Sequence, residues 1–142
     1  LKLINNIISN KNFNKYLIII FLLGFIAINI FLKPYYTPDD TYIYLQYAKN
    51  ISNGSGFSFN PNEPSYGVTS PFWVLMLSGG FLTGVNGLWF AKILDLLSAI
   101  AAVIIFYKLT KFFFNENLLI RTISTAVFIL NVWFIRWTFI GM

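Results

Sequence analysis

From Tyr16 to Leu32 the chain runs 17 residues without a charge. That length is near the lower limit for crossing a bilayer, and it constrains the fold more than any other feature. Lys2, Lys11 and Lys15 precede it. The residues after it, Lys33-Pro34-Tyr35-Tyr36, do not form a small-residue cleavage site. The run therefore reads as an uncleaved anchor with a cytoplasmic N-terminus, not as a signal peptide. Composition agrees: 57% of residues are hydrophobic and 11% are charged, where a soluble domain carries roughly a quarter charged.

Three further apolar stretches follow. Pro71 to Val85 is short and interrupted by Gly79-Gly80. Leu88 to Tyr107 carries Lys92 and Asp95 near its start. Leu118 to Ile140 carries Arg121 and Arg136 near its ends. The distribution of basic residues tests whether Pro71–Val85 crosses the bilayer. If it crosses, Lys92 and Arg136 join the three N-terminal lysines inside, and five basic residues lie on each side. If it only dips into the outer leaflet, Lys108, Lys111 and Arg121 lie inside with the N-terminal lysines, leaving Lys33, Lys49, Lys92 and Arg136 outside. The second arrangement fits the positive-inside bias better.

The expected fold class is thus an all-α membrane protein, a multi-spanning helical bundle whose first extracytoplasmic loop contains an interfacial helix. Its parts are a cytoplasmic segment 1–15, spans at 16–32, 88–107 and 118–140, and a cytoplasmic turn at 108–117. The outer loop, 33–87, holds the interfacial helix 38–53 and a re-entrant or interfacial helix 71–85. Both chain ends look cut, so the sequence is expected to be the N-terminal part of a longer protein.

Cysteine and histidine are absent. Disulfides, thiolate chemistry, cysteine- or histidine-ligated zinc and imidazole acid–base catalysis are therefore excluded. A general acid or base must be a carboxylate or a tyrosine, and the only carboxylates are Asp39, Asp40, Glu63, Asp95 and Glu116. Three of the five fall between Pro34 and Ser70, where Gly, Asn, Ser, Pro and Tyr replace the apolar residues. Two of those three are adjacent, a poor cage for a divalent cation, so no metal or cofactor is indicated. The net charge of +5 is spread along the chain and reads as helix-orienting charge, with no nucleic-acid partner.

Within this loop, Thr37-Pro38-Asp39-Asp40 predicts a helix start, with Thr37 as N-cap and Pro38 at the first helical position. Ile43, Tyr47 and Ile51 recur on one helical face, with Tyr44 beside them, and predict a helix lying apolar side down on the membrane surface. Gly54 and Gly56 end it. Phe57-Ser58-Phe59 alternates like a short strand, and Asn60-Pro61-Asn62-Glu63-Pro64 is a turn cluster. Thr69 or Ser70 caps a new helix opening at Pro71, with Trp73 at the interface. Asp39 and Asp40 are good helix-capping acids by themselves. Beside low-dielectric material, a carboxylate can also serve as a base.

Taken together, three runs resemble the first extracytoplasmic loop of GT-C glycosyltransferases, closest to the arabinofuranosyltransferase-like and protein-mannosyltransferase-like branch. They are Asp39-Asp40-Thr41-Tyr42-Ile43-Tyr44-Leu45-Gln46-Tyr47-Ala48-Lys49-Asn50, then Gly54-Ser55-Gly56-Phe57-Ser58-Phe59-Asn60-Pro61-Asn62-Glu63, then Tyr66-Gly67-Val68-Thr69-Ser70-Pro71-Phe72-Trp73. The terminal Arg136-Trp137-Thr138-Phe139-Ile140-Gly141-Met142 resembles the next outer segment of that family. Gln46 stands where many relatives carry a basic residue, and Ser65-Tyr66-Gly67-Val68 replaces a commoner Glu-Gly-Tyr arrangement.

The resemblance implies an inverting, multi-pass transferase of a bacterial or archaeal cytoplasmic membrane. Its partners would be a polyprenyl-phosphate-linked sugar donor, the bilayer, and a glycan, lipid or protein acceptor on the outer face. It implies that an acid of the pair, Asp39 first and Asp40 second, deprotonates the acceptor hydroxyl, and that the fragment alone is inactive. It makes Lys49, Glu63, Tyr66, Thr69, Ser70, Trp73 and Arg136 candidate substrate contacts.

Structural roles compete at each position: a solvated Lys49, a turn-holding Glu63, an interfacial aromatic belt, and a snorkelling Arg136. Lys92 and Asp95 lie three apart on one helical face and are expected to pair. A different class of protein also fits: a non-catalytic polytopic protein, such as a transporter or assembly subunit, whose outer loop is structural. Broken helices with polar residues at mid-membrane would favour transport; here the charges cluster at the ends of the runs.

Overall fold

The computed structural model describes residues 11–33, 35–61, 63–115 and 117–142. It is mostly helical. In chain order the elements are α1 (Lys11–Leu32), α2 (Asp39–Ser52), β1 (Ser58–Asn60), β2 (Glu63–Pro64), α3 (Pro71–Leu82), α4 (Gly87–Phe114), α5 (Leu118–Ile129) and α6 (Val132–Trp137). Among the described residues, two helices are long and apolar enough to cross a membrane, one over Asn12–Phe31 and the other over Gly87–Phe114.

The chain divides into two compact units. One comprises the chain up to residue 34 together with 96–138; the other comprises 35–95 together with 139–142. Helix α4 contributes its first turns to the second unit and the rest to the first.

In the first unit, Phe25 of α1, Ala99 and Val103 of α4 and Ile129 of α5 form the buried core. Phe25 stacks on Phe134 at 5.2 Å between ring centroids, and Phe128 lies 4.4 Å from Phe106 and 4.6 Å from Phe134. Two side chains buried in this packing show how polar groups are paired there. The Thr122 hydroxyl donates to Asn14 Oδ1 at 3.0 Å, and Asn29 Nδ2 donates back to the Phe25 carbonyl at 2.8 Å.

The expected single span over 118–140 is instead two helices. Asn131 takes an extended backbone and its side chain accepts from Trp133 N and Phe134 N at 3.0 and 3.1 Å, so it ends one helix and caps the next. Capping chemistry here overrides apolar composition. The 12 residues of α5 rise only about 18 Å, short of the hydrocarbon thickness of about 30 Å. The expected turn over 108–117 is also shorter than predicted. Helix α4 continues to Phe114, since Lys108 and Lys111 are good helix formers, and the chain reverses at Asn115, whose φ is 49°. Asn117 then caps α5 by accepting from Ile120 N at 3.2 Å.

In the second unit, α2 packs on α3. Tyr44, Leu45, Tyr47 and Ala48 of α2, Val74 and Leu77 of α3 and Ala91 of α4 make its core. The face of α2 expected to rest on lipid is thus largely covered by protein: Tyr47 is buried, and Ile43 and Ile51 pack against this core. Close approach depends on Gly80, where a Cβ would overlap the Phe90 ring. The predicted strand is present, shifted to Ser58–Asn60, and it pairs antiparallel with Glu63–Pro64. Asn50 ties this hairpin to α2 through its Nδ2, which donates to the carbonyls of Ser58 and Phe59 at 2.9 and 2.8 Å.

Candidate functional site

The acid pair opens α2, but one residue later than the sequence signals predict. Pro38, in extended conformation, occupies the cap position, and the helix starts at Asp39. Thr37 is therefore not the cap. Both acids lie in the first turn, where the helix dipole favours negative charge. Neither is buried.

Asp40, not Asp39, lines a pocket of about 130 Å³, together with Ile43, Tyr44, Gly67, Val68 and Thr69. Tyr44 is one turn after Asp40 and so shares its face. Its hydroxyl bonds the Thr69 hydroxyl at 2.7 Å. Tyr47, one position short of a further turn, bonds Ser65 Oγ at 2.8 Å and accepts from Gly67 N at 2.9 Å. Two tyrosines of α2 thus hold the irregular 65–69 segment in place, and that segment forms the opposite wall of the pocket. A Cβ at Gly67 would meet the Tyr47 hydroxyl at 2.9 Å. The pocket combines one carboxylate, two hydroxyls already bonded to each other and an apolar floor, a set suited to gripping a hydroxyl-bearing ligand and accepting its proton.

Of the remaining predicted residues, Ser70 stands at the cap of α3, with no side-chain capping bond. Trp73 is half-buried and its indole N–H donates to the Gly141 carbonyl at 3.4 Å. Tyr66 is exposed and its ring lies 6.2 Å from that of Phe57. Glu63 accepts from Asn60 Nδ2 at 3.0 Å, which is the turn-holding role. Lys49 is exposed in the last turn of α2. None of these five lines the pocket. Arg136 belongs to the first unit and lies over Trp133 and Trp137, its guanidinium 5.5 and 5.9 Å from their ring centroids.

Lys92 and Asp95, three residues apart on α4, also both engage backbone. Lys92 Nζ donates to the Tyr36 carbonyl at 2.9 Å and lies 5.7 Å from the Phe139 ring centroid. Asp95 Oδ2 accepts from the amides of both Ile140 and Gly141, at 3.0 and 3.2 Å. The Thr41 hydroxyl donates to the Ile140 carbonyl at 3.1 Å. Gly141, at φ +87°, has Thr41 Cγ2 and Ala91 Cβ within 3.0 and 3.2 Å of where its Cβ would be. The Phe139–Met142 segment is therefore latched directly behind the start of α2. Sequence reading singled out this segment and Asp95 separately but did not connect them. Ile43, Gly67 and Val68 were not singled out as site residues; their only signal was membership of the runs flanking the acids and Thr69.

No protein-family model, curated protein or solved structure matches this chain.

Proposed function

We propose that this chain is part of a membrane glycosyltransferase that moves a sugar from a polyprenyl-phosphate donor to an acceptor hydroxyl at the extracytoplasmic face. The observation that carries the reading is the pocket joining Asp40 and Tyr44 to Thr69. It draws together two of the runs on which the resemblance to GT-C enzymes rests, the acid-pair helix and the Thr-Ser-Pro segment. Two helices of membrane-crossing length support a bilayer setting.

In the proposed reaction the acceptor hydroxyl loses its proton to a carboxylate, its oxygen bonds the anomeric carbon, and the bond from that carbon to the lipid phosphate breaks. Inversion follows from attack on the face opposite the leaving group. The pocket favours Asp40 as the acceptor-side base, with Asp39, one residue earlier, as its neighbour; the family resemblance alone had favoured Asp39.

Asp39→Asn and Asp40→Asn, made separately in the full-length protein, test this. Membranes are assayed for transfer from a panel of polyprenyl-phosphate sugars, with expression and folding checked. Loss of a general base costs about 100-fold or more, so Asp40→Asn is expected to abolish measurable transfer and Asp39→Asn to weaken it. The reverse order restores Asp39 as the base. Wild-type transfer by both variants makes the pair a helix cap and refutes this mechanism, and absence of transfer by the wild-type protein favours the non-catalytic alternative.

A further inference from the structure

Arg121, in the first turns of α5, is only 6% exposed, yet its Nε has no hydrogen-bond partner. Its guanidinium carbon stacks 4.6 Å from the centroid of the Tyr107 ring on α4. Among the described residues, the nearby Thr122, Asn14 and Asn117 side chains already have partners. The single Thr122 hydroxyl proton lies within reach of Asn14 Oδ1 of α1 and the Leu118 carbonyl, at 3.0 and 2.8 Å, and Asn117 Oδ1 accepts from Ile120 N. A buried guanidinium N–H without an acceptor is costly, and buried polar groups are otherwise paired almost without exception. An acceptor from outside the described residues accounts for it.

The surroundings define that acceptor's chemistry. Arg121 lies where α1, α4 and α5 meet, through the Thr122–Asn14 bond and the Tyr107 stack. Lys15 directly follows Asn14, Lys108 directly follows Tyr107, and Lys111 lies one turn beyond Tyr107; all three are exposed. The start of α5 adds the positive end of a helix dipole. A planar guanidinium near a helix N-terminus, with lysines one to four residues from Asn14 and Tyr107 on the two neighbouring helices, suits a phosphate oxyanion. At the end of helices long enough to cross a membrane, the phosphate at hand is that of a lipid headgroup, and basic pockets between such helices bind anionic lipids.

We propose that Arg121 binds the phosphate of an anionic membrane lipid at this junction. The assignment is independent of the transferase reading and needs only that α1 and α4 cross a bilayer.

The test offers the purified full chain equal amounts of phosphatidylglycerol and phosphatidylcholine and counts retained lipids by native mass spectrometry. Wild-type protein is expected to keep phosphatidylglycerol in preference. Arg121→Met, which keeps the packing of the stem, is expected to lower that preference about fivefold or more. Equal retention of the two lipids by the wild type overturns the proposal. So does an unchanged preference in the variant. Displacement of the lipid by excess inorganic phosphate overturns the lipid source and makes this a soluble-phosphate site. Should Arg121→Met not fold, Arg121→Gln, which keeps a polar head without the charge, is measured in its place, and an unchanged preference there equally overturns the proposal.

Discussion

Replacing Asp95 with alanine is expected to release the Phe139–Met142 segment while the rest of the second unit stays folded. One carboxylate oxygen holds two amides, at 3.0 and 3.2 Å, and Ile140 is fully buried. A hydrogen bond to a charged group contributes about 1.5–3 kcal/mol. Two that share one oxygen fall at the weaker end, giving about 3 kcal/mol for the latch. At 1.4 kcal/mol per tenfold, local opening then becomes about 100-fold more frequent. Residue-resolved hydrogen exchange reads this directly. The amides of Ile140 and Gly141 should exchange about 100-fold faster, with those of α2 and α5 unchanged. Asp95→Asn keeps an acceptor oxygen but loses the charge, and an effect of about tenfold is expected. Unchanged exchange at Ile140 and Gly141 in a folded Asp95→Ala protein would refute the latch. A uniform acceleration across both units would refute its local character.

Two packing predictions accompany the functional ones. Gly80→Ala drives a methyl group into the Phe90 ring and is expected to cost about 1–3 kcal/mol, read as a lower thermal midpoint in detergent. Tyr47→Phe leaves the Gly67 amide without its acceptor and Ser65 Oγ without its tyrosine partner, a loss of about 1–3 kcal/mol, with faster proteolytic cleavage in the 65–69 segment as the local signature.

Local features were legible in the sequence because they are written in neighbouring residues. A charge-free run of membrane length, an acid-rich helix start, glycines ending α2 and a Ser-Pro opening α3 each depend on a few adjacent side chains and their backbone preferences. Helices α1, α2, α3 and α4 therefore stand close to where the sequence places them. The same local reading went astray where two local signals compete. An apolar window over 118–140 predicts one span, but Asn131 within it offers an oxygen to two amides, and the capping bond divides the window. The lysines at 108 and 111 read as loop charge, yet they extend a helix comfortably.

Tertiary structure alone decided what meets what. Nothing in the spacing of Tyr44 and Thr69 shows that their hydroxyls bond across 25 residues, or that Asp40 rather than Asp39 faces the resulting pocket. Nor does the sequence show that Asp95 holds the backbone 45 and 46 residues further on. Periodicity and capping are short-range and repeat along a chain, so one sequence reports them. Contacts of long sequence separation depend on how whole helices pack, and the helix faces that pack are compatible with many partners until the fold selects one.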